Sequence, residues 1–220
     1  MVFSESEYEL TRTALEDCWR RWSENQRSNT LTVEERGEAA RKMRECRIAF
    51  HASFGWHEMD DPDGKVVFSL SDRLNELYND DVEFLPTSSA VWDISNFASY
   101  PIESPTQIAL AHDLRAKCLR ALKRCAIAKD PWYAFENINH PSYLLRFDEM
   151  PDHIADWPID LIPHWDPCFI VAPDFSSGII ATLRDSIRVF GVNLLEAINS
   201  DLPDLFSENR PAGPDGTGHP

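Results

Sequence analysis

Glycine is scarce: the chain has eight in 220 residues, and five of them fall at position 178 or later. Neither G-x-G-x-x-G nor G-x-x-x-x-G-K-[ST] occurs, so the sequence offers no backbone cradle for a nucleotide phosphate. G-x-S-x-G is absent too, which removes the commonest signature of a serine nucleophile. No apolar stretch approaches the roughly 18 residues that cross a bilayer, and Met1 to Glu7 lacks the basic and apolar regions of a signal peptide. Export and membrane spanning are therefore not expected. Cysteine is present but unpatterned. Cys18, Cys46, Cys118, Cys125 and Cys168 form an odd set with no C-x-x-C spacing. Cys118 and Cys125, seven apart on one expected helix, stand about 10 Å apart, beyond disulfide reach. A reducing, cytoplasmic compartment is the expectation.

Positive charge is also short, with 21 Lys and Arg against 37 Asp and Glu, for a formal charge of -16. Phosphate backbones are bound by basic faces that release counterions, so nucleic acid and anionic membrane surfaces are disfavoured partners. The acid is uneven. Between Asp130 and Asp185 ten acidic residues face two basic ones, Arg146 and Arg184, a net of minus eight, whereas the first 80 residues carry 17 acidic and 11 basic. Such a segment is either a solvated face or a surface that attracts a basic protein.

Two helices open the chain. Ser4 to Glu7 has capping-box spacing, and Tyr8, Leu15, Cys18, Trp19 and Trp22 form a stripe, predicting a helix over 5–26. Thr32 to Glu35 repeats the box before Ala39, Met43, Cys46 and Phe50. The connection is short enough to fold the two into an antiparallel hairpin. Between His51 and Asp63 aromatics and acids mix without a clear period. Val66 to Phe68 reads as one short strand, and Ser71 as the cap of a brief helix through Tyr78. A boundary falls near 80. Beyond it, Ala90 to Ile94 reads as a buried strand, and Ser104-Pro105-Thr106-Gln107 as a helix start, followed by a stripe from Ile108 to Cys125. Apolar runs follow at 132–135, 143–147, 159–162, 169–172, 178–182 and 187–190, separated by short Pro-, Asp-, Ser- and Asn-rich loops that favour antiparallel pairing. Leu194 to Ile198 closes the region as a short helix, and Asp201 to Phe206 adds a turn. The expected fold is α+β: an N-terminal helical hairpin, then a mostly antiparallel sheet of about five to six strands packed on one long helix. The expected domains are a helical region over 1–80, an α+β domain over 81–206 and a disordered tail over 207–220.

Candidate chemistry is thin. His140, His153, His164 and Asp166 share the acidic half, but only His164-Trp165-Asp166 is closely spaced, and no metal or cofactor is expected. Asp93 interrupts an apolar strand and Asp174 stands near a strand end, where a carboxylate needs a partner or water. Trp132 suits a core plug. Trp157 and Trp165, flanked by prolines and acids, suit interface anchors.

Taken in order, Ala90 to Ser95, Leu114 to Leu122, Trp132 to Phe135, His140 to Tyr143, Trp157 to Ile159, Phe169 to Gly178 and Val189 to Gly191 resemble a bacterial domain-of-unknown-function family with the pattern W-Y-A-[LF]…H-x-x-Y-x-F…W-P-I…D-F…G…V-F-G, over about residues 85–200. The resemblance implies no activity. Of its matching glycines, Gly178 and Gly191 suit turns.

A binding protein rather than an enzyme is thus expected. The first reading is an acidic, immunity-type protein that neutralises or regulates a basic protein partner through the acidic half, Asp130 to Asp185, which holds Trp157, Trp165 and Asp166. The second is an enzyme or small-ligand binder with a pocket around Asp93, Trp132, His140 and Asp174. A third is a scaffolding role for the tryptophan-striped hairpin.

Overall fold

The computed structural model describes residues 5–27, 31–61, 64–78, 88–101, 103–126, 130–136, 141–151, 157–162, 167–182 and 186–207. The fold is α+β, with six helices and a seven-stranded, wholly antiparallel sheet among the described residues. The tail beyond 207 lies outside them.

Helices α1 (Glu5–Arg27) and α2 (Val33–Ala52) form the expected hairpin. The box at the start of α2 is complete: Thr32 Oγ1 accepts from Glu35 N at 3.2 Å, and Glu35 Oε2 accepts from Thr32 N at 2.8 Å. Two elements follow that differ from expectation, one unassigned and one of another type. Trp56–Glu58 is strand β1, hidden by its brevity in the unpatterned stretch. Val66 to Phe68 is not a strand but the first turn of α3 (Lys65–Tyr78). The carboxylate of Asp61 accepts from Val66 N at 2.9 Å and Val67 N at 3.1 Å, satisfying amides left open at a helix start. Val67, Leu70 and Leu74 then share one buried face at helical spacing, with Ser71 inside the helix rather than capping it.

Strand β2 (Ser89–Asp93) precedes a short 3-10 turn and α4 (Pro105–Cys125), whose cap matches expectation: Ser104 Oγ accepts from Gln107 N at 3.2 Å, with Pro105 in the first turn. Strands β3 (Trp132–Phe135), β4 (Tyr143–Leu145), β5 (Cys168–Val171), β6 (Gly178–Thr182) and β7 (Ser186–Phe190) lead to α5 (Val192–Ser200) and α6 (Asp204–Ser207). The strand order is β1-β4-β3-β5-β6-β7-β2, so only β5, β6 and β7 form a meander. The third run, Ile159 to Ile162, is not a strand. Asp160 N donates to Glu136, while Asp160 Oδ1 accepts from Ile162 N at 3.0 Å and from Arg115 Nη2 at 3.1 Å. That local turn lets Ile159, Leu161 and Ile162 all reach the core, which strand alternation would not allow for adjacent residues.

Period-two alternation gives the sheet two unlike faces. On one, Trp56, Trp92, Trp132, Tyr143, Leu145, Ile170, Ile179 and Val189 join a large core with α2, α4, α5 and α6; Trp92 stacks on Phe206 at 4.4 Å. On the other, Phe135, Val171, Phe175 and Phe190 pack against Val67, Leu70 and Leu74 of α3. Tyr133, Phe169 and Ile180 remain half-buried there.

Candidate functional site

Strand register separates the two carboxylates that stood out in the sequence. Asp93 pairs with Ser186, which pairs with Thr182, at one end of the sheet; Asp174 belongs to the turn between β5 and β6, beyond the Val171 and Gly178 pair at the opposite end. Each is occupied locally. Asp93 Oδ1 accepts from Ser95 N at 2.8 Å, and hydrogen bonds from the Ser95 side chain and backbone hold the carboxyl below the usual aspartate range. Asp174 Oδ1 accepts from Ser176 N at 3.0 Å and from Ser176 Oγ at 2.8 Å, with the same effect on its pKa. Trp132 is in the core, edge-on to Phe147 at 5.7 Å. The structure therefore does not gather Asp93, Trp132 and Asp174 around one concavity. His140, Trp165 and Asp166 lie outside the described residues.

Trp157 stands elsewhere, in a cluster that the sequence alone did not reveal. Its ring leans on Trp56 at 5.3 Å; Trp56 meets Tyr143 edge-on at 5.8 Å, and Tyr143 meets His51 at 5.9 Å. Trp157 is half-buried, and its Nε1 is enclosed without a hydrogen-bond partner among the described residues. Register places Glu58 directly opposite Tyr143. The Glu58 side chain is only 6% exposed, with Arg44 of α2 at 2.6 Å and Arg47 at 3.6 Å. Burial pushes the Tyr143 phenol up to about 12, so it stays a neutral hydroxyl. The cluster joins the first 80 residues to the sheet. Its trace in the sequence is the density of aromatic rings from His51 to His57.

The two matched glycines differ. Gly191 makes a turn, at φ 95°, before α5. Gly178 is the first residue of β6, where an added Cβ would come within 2.6 Å of the Ile170 carbonyl and 2.7 Å of the Phe190 ring. Its smallness serves close packing, not a turn.

Electrostatics concentrate at the end of the sheet where β3 begins and β4 and β5 finish, as the pairs Trp132 with Leu145 and Tyr133 with Val171 require. Asp130, Asp148 and Asp174 are exposed there, beside Glu149 and the exposed Arg146. Glu149 is engaged by His57 at 2.6 Å. Of the basic residues of α4, Lys117, Arg120 and Arg124 are turned to the C-terminal segment and Arg115 to Asp160, while Lys123 reaches the loop that follows β4. Lys117 binds Asp113 and Asp204, each at 2.8 Å, Arg120 binds Asp201 at 2.8 Å, and Arg115 binds Asp160. Lys123 Nζ donates to the Met150 carbonyl at 2.7 Å and Arg124 to Ser200 Oγ at 2.9 Å.

Among the described residues no three His, Cys, Asp or Glu side chains are grouped to hold a metal, and no helix is long and apolar enough to cross a membrane. Cys118 and Cys168 are fully buried, with their thiols pushed far up by desolvation, which suits packing rather than nucleophilic chemistry.

The fold defines an α+β protein whose antiparallel sheet carries helices on both faces. The family model described as "Protein of unknown function (DUF2716)" matches residues 80–195, just over half of the chain, and the chain belongs to that family. It is similar to "Uncharacterized protein YxiI" of Bacillus subtilis (strain 168), with 32% identity over 124 residues, covering 55% of this chain and 76% of YxiI. No solved structure matches the chain. The match begins after α3, so α1, α2, β1 and α3 lie outside it.

Proposed function

We propose that the chain is an acidic binding protein of the immunity type, which neutralises or regulates a basic protein partner through the acidic end of its sheet. The observation that carries this reading is how the charge is distributed. The α4 cations are engaged within the protein, and Asp130 and Asp148 stand exposed with no ion pair among the described residues. Uncompensated charge of one sign steers an oppositely charged partner and suppresses like-charged ones. Asp174, kept ionised by its turn, adds a fixed negative charge at the same end.

The test is capture from a host lysate with the full chain as bait, a salt series and identification of what is retained. A basic protein should be held at low salt, released as salt rises, and bound about tenfold or more weakly when Asp130→Lys and Asp148→Lys are combined. Retention of no basic protein, or retention indifferent to both salt and charge reversal, sinks the reading.

A further inference from the structure

The five cysteines are not equivalent. Cys118 and Cys168 are sealed in the core, and Cys125 stands half-buried on α4. Cys18 of α1 and Cys46 of α2, 28 positions apart in sequence, meet in the seam of the hairpin with their sulfurs 3.3 Å apart. Each occupies the inner stripe of its helix, Cys18 between Leu15 and Trp22 and Cys46 between Met43 and Phe50, so helix packing fixes both Cβ positions. A disulfide of about 2.0 Å needs the sulfurs to close by roughly 1.3 Å, within reach of small side-chain rotations. Both residues are partly exposed, so a small reagent can reach them. The contact also leaves its mark on the reduced pair: the hydrogen bond with Cys18, ahead of burial, pushes the Cys46 thiol up.

We propose that Cys18 and Cys46 form a dithiol modification site that closes reversibly into an intramolecular disulfide in response to low-molecular-weight disulfides such as oxidised glutathione. One cysteine, as thiolate, attacks a sulfur of the reagent, forming a mixed disulfide and expelling one thiolate. The second cysteine then attacks the protein sulfur of that mixed disulfide and expels the other. The protein dithiol is oxidised, one reagent disulfide is reduced to two thiols, and the two cysteine protons end on them. In a reducing compartment the site rests open. Closure ties α1, whose described inner residues are only half-buried, to α2, which Phe50 and the Arg44 to Glu58 contact fix to the sheet.

The experiment equilibrates the full chain in glutathione buffers from fully reduced to fully oxidised, quenches with acid, alkylates in denaturant with N-ethylmaleimide and measures intact mass. Oxidised protein should take up two fewer alkyl groups and lose about 2 Da, the signature of two hydrogens removed, and dithiothreitol should reverse both. Peptide mapping should place the link between Cys18 and Cys46, with Cys125 still alkylated. In Cys46→Ser the internal link should vanish, leaving Cys18 with a glutathione adduct. Oxidised wild type should melt about 5 °C above reduced, and Cys46→Ser should show no such difference. Full alkylation of Cys18 and Cys46 in the most oxidising buffer, or a link that maps to Cys125 or to a second molecule, overturns the proposal.

Discussion

The first 78 residues and the remainder are held by different physics. In α1 and α2 much of what can be named is local: a capping box and ion pairs one turn apart, such as Arg12 with Glu16 and Arg41 with Glu38. Leu10, Trp19 and Val33 are exposed, and Met43 and Phe50 alone are buried among the described side chains of α2. From β2 onward, stability resides in contacts distant in sequence, with Trp92, Leu114, Leu122, Ile170, Ile179 and Phe206 enclosed in one core. Yet the division is not clean. Phe50, Phe54, Trp56, Val67, Leu70 and Leu74 are buried against the later region. The place where the family match begins, near our proposed domain boundary at 80, is crossed by β-pairing and by two layers of side chains.

The largest effect is expected from cutting there. A chain beginning at residue 80 loses those six side chains, each contributing about 1.5–3 kcal/mol, together on the order of a domain's whole stability. Circular dichroism and dye binding should report loose, dye-accessible chains; a sharp cooperative melt would show the later region to be self-sufficient. Next comes Trp92→Ala, expected to cost about 3–5 kcal/mol in urea denaturation, against under about 1 kcal/mol for Trp19→Ala. Equal costs would erase the contrast between the regions. Thr32→Ala should remove about 1 kcal/mol through the α2 cap, read as lost helicity.

The smallest effect concerns Asp93 and Asp174. Both have folded pKa values below the unfolded one, so their contribution is present above the unfolded value of about 3.9 and is lost as pH falls through the lower folded value. Solvent screening keeps it small, because both side chains are exposed. Replacing each with Ala should lower stability slightly at neutral pH, leave it unchanged below the folded pKa, and so flatten the acid limb of a stability-against-pH curve. A steep change at neutral pH would mean that the turns matter more than their charges.

The sequence made α1, α2 and α4 legible because their signals are local: Thr32, Ser104 and Pro105 mark starts, and apolar stripes mark faces. Five of the seven strands coincide with apolar runs past 130, and β2 with Ala90 to Ile94. Three features were hidden for physical reasons. Val66 to Phe68 is apolar enough for a strand until the Asp61 carboxylate organises a helix start. Ile159 to Ile162 is apolar because a buried loop also needs apolar side chains. Three residues of β1 are too few to show a period. The candidate site fared similarly. Asp93 and Asp174 were visible as polar exceptions, and both prove to cap turns. The pairing of Trp157 with Trp56, and of Cys18 with Cys46, exists only once the elements are docked, and no spacing rule announces it.

The pairing of β1 with β4 has a consequence for biosynthesis. Trp56 has no strand partner until Leu145 has been made. At ordinary elongation rates that is a wait of roughly 5–20 s, during which Phe54 and Trp56 travel on the nascent chain without the surface that will cover them. The hairpin of α1 and α2, able to form at once beside the ribosome, is the element available to shield them in the interval.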